Sequence, residues 1–294
     1  MLSTALYSTT PFAEDGAATL STMFPGLSSG ALSLAMLGEL PEGVVLKSGS
    51  VEVTDEALKA ELANVPEETR KQLENNKLYV LENMATPQLL LPSAQVSQEE
   101  PAGAVSPDAL ENYFEVLTAD VEVTEEEVAA FYEENKDLCG GATFTQVKDQ
   151  LAQYVLDQKK QDVVTEHIRT IGERSPIVLA ESWAKEQAAL ALDNSVDKAR
   201  ASGKPSIVDF GSTGCRSCAM MAPILEALKV KYAGKANVLF VHVKEESVLA
   251  ARYGIRTIPV QVFFDQDGRE TYRHKGTMSQ GDIEQKLLEL GATL

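Results

Sequence analysis

Apolar positions change their spacing several times along this chain, and each spacing predicts a different kind of element. From Val44 the run VVLKSGSVEVTDEALKAEL alternates about Ser48-Gly49, which predicts a hairpin-like strand pair. The period then becomes helical at Leu58, Leu62 and Val65, with Thr54 placed as N-cap. A second helix from Lys77 presents Leu78, Leu81 and Ala85 and is expected to stop near Pro87. Residues 93–107 have linker composition, and Leu110, Tyr113, Phe114 and Leu117 mark the next helix. VEVTDEAL at Val51 then returns as VEVTEEEV at Val121, which predicts two similar strand-to-helix entries. In the second, Thr124 and Glu127 form a capping box, followed by Val128, Phe131 and Tyr132. A long helix is predicted from Thr143 to Ile171, with Val147, Leu151, Tyr154 and Val155 as its apolar positions.

Beyond Ser175-Pro176 strands and helices alternate. IVLA reads as a short strand, and Glu181 to Arg200 as a helix with Trp183, Leu190 and Val196. PSIVDFG, NVLFVHV and PVQVFFD read as strands, and Asp267-Gly268 as the hairpin turn into RETYRHKG. Helices are predicted at Cys218 to Tyr232, Ser247 to Tyr253 and Gln280 to Leu290. The order β-α-β-α-β-β-α, with an extra strand possible at its front, argues an α/β layered domain. Residues 1–43, rich in Ser, Thr, Ala and Gly, read as a partly ordered leader. The expected organisation is leader 1–43, helical domain 44–180 and α/β domain 181–294.

Charge sharpens this division. Up to Ala180 there are 11 Lys and Arg against 30 Asp and Glu, a balance of −19; from Glu181 the counts are 15 and 14, a balance of +1. An acidic surface repels nucleic-acid phosphates and anionic membranes, so nucleic acid is not an expected partner. Such a surface serves either for solubility or to tolerate basic clients. No run of about 18 apolar residues predicts a membrane span. Glu14 and Asp15 precede the short apolar stretch at Gly26 to Leu40, and no Lys or Arg occurs before Lys47, unlike a signal peptide.

Two of the three cysteines stand in GSTGCRSCAMMAP, at Cys215 and Cys218, where a strand meets a helix. A sulfur at a helix N-terminus faces free N–H groups and the positive end of the helix dipole, and both favour the thiolate. Arg216 adds positive charge, and Cys218 is placed one turn on, where it can attack a mixed disulfide formed at Cys215. A zinc site would need two more ligands, and Cys139, His167, His242 and His274 are scattered without ligand spacing. A pair of inert buried cysteines remains the third reading. His242 and His274 alternate with apolar residues and are read as structural or surface groups, Met220 and Met221 as packing, and Cys139 as an incidental thiol.

Residues 188–290 resemble the thioredoxin family. VDFGSTGCRSCAMMAPILEALKVKY is similar to its strand, active-site motif and helix, with Pro223 five residues after the second cysteine, and YGIRTIP is similar to its cis-proline segment. The resemblance implies a cis Ile258–Pro259 bond facing Cys215 and orienting a substrate strand, with Asp209 as the buried acid that relays a proton and Gly276 near the site. Three positions depart from the family. Gly214 replaces the usual Trp, Arg216-Ser217 replaces Gly-Pro, and Phe240 stands where a strand lysine is common. The first half resembles the helical domain of SurA-type periplasmic chaperones, on VVLKSGSVEVTDEAL, VEVTEEEVAAFYEENKDL and the segment from Gly140 to Ile168, with a closing strand near Ile177.

The two resemblances together imply a thiol–disulfide oxidoreductase acting on protein substrates. Cys215 attacks, Cys218 resolves, Asp209 relays protons, Arg216, Ile258 and Pro259 meet the substrate, and no cofactor or metal is required. A helical module would hold protein or peptide clients near the dithiol, a redox partner protein would recharge it, and the location implied is periplasmic, with the cytoplasm second. The rival is a non-enzymatic holdase or assembly factor whose α/β domain only docks partners. An intermolecular disulfide through Cys139 is a third, structural reading.

Overall fold

In the computed structural model, which describes residues 18–94 and 105–293, the change of spacing at Thr54 is where a strand becomes a helix. Strands β2 (Val44–Ser48) and β3 (Val51–Thr54) pair antiparallel about Ser48-Gly49, with Lys47 opposite Glu52. The Thr54 hydroxyl accepts the Ala57 N–H at 3.1 Å and opens the helix Asp55–Ala63, whose Leu58 and Leu62 are buried.

Of the expected leader, residues 18–43 are built into this first region. A short helix α1 (Leu20–Met23), a 3-10 turn (Ala31–Leu34) and strand β1 (Met36–Gly38) precede β2. Leu20, Ala31 and Leu32 are fully buried. Residues 1–17 lie outside the described residues. The segment IVLA forms β4 (Val178–Ala180), parallel to β1 and antiparallel to β2. It therefore joins a sheet of order β1-β4-β2-β3 in the N-terminal region, at the place of the expected closing strand, and does not front the C-terminal sheet.

The remaining helices of this region are α2 (Asp55–Ala63), α3 (Glu67–Glu74), α4 (Lys77–Ala94), α5 (Pro107–Leu117), α6 (Glu125–Glu134), α7 (Phe144–Arg169) and α8 (Ile171–Arg174). Two expectations are corrected here. Helix α4 continues through Pro87, because Leu81, Ala85, Leu89 and Leu90 share its buried side. Burial of that face offsets the hydrogen bond lost at proline. The second copy of the repeated octapeptide contains no strand, since residues 121–124 lead into α6 without a ladder partner. Its capping box is real: the Thr124 hydroxyl accepts the Glu127 N–H at 3.2 Å, and Glu127 accepts the Thr124 N–H at 2.9 Å. Helices α6 and α7 form a hairpin tied by Lys148–Glu125 at 2.7 Å and Lys159–Glu127 at 2.8 Å. Of the linker expected at 93–107, residues 95–104 lie outside the described residues.

The predicted helix from Glu181 to Arg200 is two helices, α9 (Glu181–Ala191) and α10 (Ser195–Arg200). Asn194 breaks them, its side-chain oxygen accepting the Asp197 N–H at 3.0 Å as the N-cap of α10. The break lets each helix serve a different core. Ala184, Ala188 and Ala191 of α9 pack with Leu46, Leu81 and Leu179 in the first core. Val196 of α10 packs with Val208 and Phe210 in the second region.

That region runs β5 (Ser206–Gly211), α11 (Arg216–Lys231), β6 (Asn237–His242), α12 (Ser247–Arg252), β7 (Val260–Phe264), β8 (Glu270–Lys275) and α13 (Gln280–Glu289). Its sheet has the order β6-β5-β7-β8, with β5 parallel to β6 and antiparallel to β7, and β7 antiparallel to β8. Alternate residues of a strand face opposite sides. Ile207 accordingly packs towards α11 and α13 with Met221, Leu225 and Leu287, whereas Val208 and Phe210 pack towards α10 and α12.

A buried ionic cluster joins the regions. Asp197 accepts from Arg200 at 3.1 Å, from Arg252 at 2.9 Å and from the Tyr253 hydroxyl at 2.6 Å. Arg200 also donates to the Pro25 carbonyl at 2.8 Å, and Arg252 to the Gly26 carbonyl at 3.0 Å. The N-terminal segment thereby supplies further acceptors for two buried guanidiniums that Asp197 neutralises.

Candidate functional site

Strand β5 ends at Gly211, and four residues later Cys215 caps α11. Gly214 holds the intervening turn at φ +83°, a conformation that favours glycine, and this accounts for the departure from the Trp usual at that position. The Cys215 sulfur accepts the Cys218 N–H at 3.2 Å and lies 3.2 Å from the Ser217 hydroxyl. Cys215 and Cys218 are joined by a disulfide with their Cα atoms 5.3 Å apart. Cys215 is partly exposed and Cys218 buried, an asymmetry that gives one sulfur to solvent and shields the other. Arg216 is exposed on the first turn of the helix.

Gly211 allows the helix to close onto the strand. A Cβ at this position would lie 3.2 Å from the Cys218 Cβ, 3.3 Å from its sulfur and 2.9 Å from the Phe240 ring. Asp209, two residues earlier, shares the same face of β5. One rise of two residues, about 6.6 Å, separates the backbone beneath Cys218 from that of Asp209.

Asp209 is fully buried. Its Oδ1 accepts the Gln261 side-chain N–H at 2.6 Å, while Oδ2 has no partner among the described residues. Burial pushes its carboxyl up to about 6, opposed in part by the Gln261 bond. The cross-strand register explains both neighbours, since Asp209 lies opposite Gln261 in β7 and Phe240 in β6. Phe240 covers the side where the family often has a lysine, so the acid sits beside an amide and an aromatic ring without an adjacent strand cation.

The Ile258–Pro259 bond is cis, as the resemblance implied. Phe210 pairs with Val260, so Pro259 lies at the end of the sheet from which the Cys215 turn emerges. The Pro259 carbonyl accepts the Gly276 N–H at 2.9 Å, which brings Gly276 to this end. Asn135 of the α6 terminus abuts it: a Cβ on Gly276 would lie 2.6 Å from the Asn135 side-chain oxygen.

Two neighbours of the site emerge only with the fold, Gln261, which the sequence reading passes over, and His242, which it reads as a structural or surface group. Gln261 was one of several alternating strand residues, and only the register of β7 reveals its contact with Asp209. His242 lies opposite Gly211, and its Nε2 accepts the Thr213 N–H at 3.0 Å, which pins the turn before Cys215. That acceptor role places the ring proton on Nδ1. His274 approaches the Thr277 carbonyl at 2.9 Å. Cys139 is partly buried at the end of the 3-10 turn Lys136–Cys139 that follows α6, its thiol 3.6 Å from the Asn135 carbonyl. Among the described residues no three His, Cys, Asp or Glu side chains cluster as a metal site, and no helix is long and apolar enough to cross a membrane.

Comparison with known proteins bears on the C-terminal region. Residues 192–291 match the family model described as a thioredoxin-like domain. A thioredoxin of Staphylococcus aureus strain Mu50 is 43% identical over 63 residues, which are 21% of this chain and 60% of that protein. The chain thus spans 60% of the length of that curated relative. Among solved structures, thioredoxin NaTrxh of Nicotiana alata is 29% identical, with 32% of this chain and 79% of that chain covered and a TM-score of 0.29. Chloroplastic thioredoxin z is 24% identical, with 32% and 85% covered and a TM-score of 0.30. The C-terminal region of the chain is a thioredoxin-like domain, accompanied by a separate N-terminal region dominated by helices.

Proposed function

We propose that the protein is a thiol–disulfide oxidoreductase acting on protein substrates, with its helical region holding the client. The observation that carries this reading is the Cys215–Cys218 disulfide at the start of α11, with Cys215 partly exposed, Cys218 buried and a buried acid on the strand face beneath it. In the reducing direction, the Cys215 thiolate attacks one sulfur of a client disulfide, and the other client sulfur leaves as a thiolate. Cys218 then gives up its proton and attacks the Cys215 sulfur. The mixed disulfide breaks, the second client thiolate leaves, and the Cys215–Cys218 disulfide forms. Two electrons have passed to the client, and the same steps in reverse oxidise it.

Asp209, with Oδ2 unpartnered among the described residues and its carboxyl pushed up to about 6, suits acceptance of the Cys218 proton through a bridging water. Arg216 and the N-terminal amides of α11 favour the Cys215 thiolate. Ile258 and Pro259 present backbone to an extended client segment, and a redox partner protein restores the dithiol or the disulfide. The SurA-type resemblance supports a client-cradling role for the helical region and a periplasmic location, which an alkaline phosphatase fusion tests.

The deciding experiment is equilibration of the full chain with glutathione buffers, followed by mass spectrometry of the Cys215–Cys218 pair. A potential near about −270 mV assigns disulfide reduction, and one near about −120 mV assigns disulfide introduction. Failure of the pair to oxidise at any poise refutes the redox reading. Cys215→Ser is expected to abolish client refolding that depends on disulfides, whereas Cys218→Ser accumulates the mixed disulfide. Full activity of Cys215→Ser would leave a holdase.

A further inference from the structure

Between the two regions runs a trough made of two cavities, of about 460 Å³ and about 380 Å³. They share Ser29, Thr165, Gly254 and Arg256, so they form one passage with Arg256 at its neck. The larger cavity is walled by apolar groups of α4, α5 and α7, including Leu110, Phe114 and Ile168. The smaller one reaches Thr257 and Val260, on either side of the cis-proline bond.

The charged groups along this trough are satisfied, with one exception. Lys275 pairs with Asp162 at 3.0 Å, and Arg273 with Glu270 at 2.8 Å. Glu82 accepts the Ser28 hydroxyl at 2.6 Å and the Leu32 N–H at 2.9 Å, and Asp157 accepts the Gln153 amide at 2.8 Å. Arg256 is exposed and makes no ion pair or hydrogen bond among the described residues. The backbone from Arg256 to Ile258 likewise takes no backbone partner among the described residues. A cation without a partner among the described residues, beside unpaired backbone and an apolar cavity, matches a ligand that carries a carboxylate next to a large apolar side chain.

We propose that this trough selects the client of the proposed oxidoreductase: an extended polypeptide segment whose carboxylate side chain pairs with Arg256 while a neighbouring large apolar side chain enters the cavity between α4, α5 and α7. The inference rests on the reading of Cys215 as the site that clients reach. Arg256 precedes Ile258 by two residues, so the carboxylate that it pairs with belongs to the client segment passing the cis-proline bond. The balance of −19 over residues 1–180 opposes a run of acidic residues. The segment selected is therefore not polyacidic.

The test uses the full chain as Cys215→Ser and fluorescein-labelled peptides in which Ser replaces Cys, so that binding needs no redox chemistry. Peptides containing Asp-Phe, Lys-Phe and Asp-Ser are titrated by fluorescence anisotropy. The Asp-Phe peptide is expected to bind at least about tenfold more tightly than either of the others, and Arg256→Glu to reverse the preference between Asp-Phe and Lys-Phe. Thr165→Trp, which fills the neck, is expected to weaken binding of Asp-Phe. Equal affinities for the three peptides, or an unchanged preference in Arg256→Glu, overturn the proposal. Glutathione equilibration of the wild-type pair reports separately on the redox reading: oxidation with indifferent peptide binding removes only the trough, and selective binding without oxidation removes only the chemistry.

Discussion

Asp209 is held on strand β5 with one carboxylate oxygen bonded to Gln261 and the other unpartnered among the described residues. Its carboxyl is raised from 3.8 to about 6 because burial disfavours the anion. A raised acid binds more protons in the folded state than in the unfolded one. Its contribution to stability is thus fully present below about pH 3.8 and is lost as pH rises through about 6. The difference corresponds to about 3 kcal/mol at neutral pH. Asp209→Asn is therefore expected to stabilise the protein by up to about that amount at pH 7.5 and hardly at all at pH 3.5, as read by urea unfolding. The same variant should slow resolution of the mixed disulfide and remove an inflection near pH 6 from its rate. Equal stability gains at both pH values would show that the carboxyl is not desolvated.

At the scale of elements, the closeness of β5 and α11 depends on the missing side chain at Gly211. Gly211→Ala would force the new methyl against Cys218 and Phe240, and is expected to cost about 1–3 kcal/mol in denaturant melts. A neutral result would mean that α11 shifts freely on the strand. The elements around this contact were legible in the chain because alternation and helical spacing are local properties. PSIVDFG, NVLFVHV and the C-R-S-C helix all announce themselves within about ten residues. What stayed hidden depends on remote partners. Pro87 reads as a stop, and only the burial of Leu89 and Leu90 explains why α4 continues. VEVT makes a strand at Val51, where β2 pairs with it, and none at Val121, where no strand of the described residues is alongside. Gln261 and His242 became site neighbours only through the register of strands distant in sequence. Trp183 and Val196, read as one helix, belong to two helices because Asn194 offers a better cap than a helical interior.

Across the whole molecule, Asp197 balances two buried guanidiniums that the N-terminal segment also contacts. Asp197→Ala leaves both cations without their counterion and is expected to destabilise the chain by about 3–5 kcal/mol. Calorimetry should then show the two regions melting apart, and a single transition at the wild-type temperature would refute the coupling. The Arg252–Gly26 bond spans 226 residues of sequence. At about 5–20 residues per second a ribosome needs roughly 10–45 s to travel that far. Throughout that interval the early segment carrying Leu20 and Leu32 has been made while its later partners have not. The newborn chain must therefore wait with an unfinished seam, and its last third, which carries the dithiol, is also the part that closes the first.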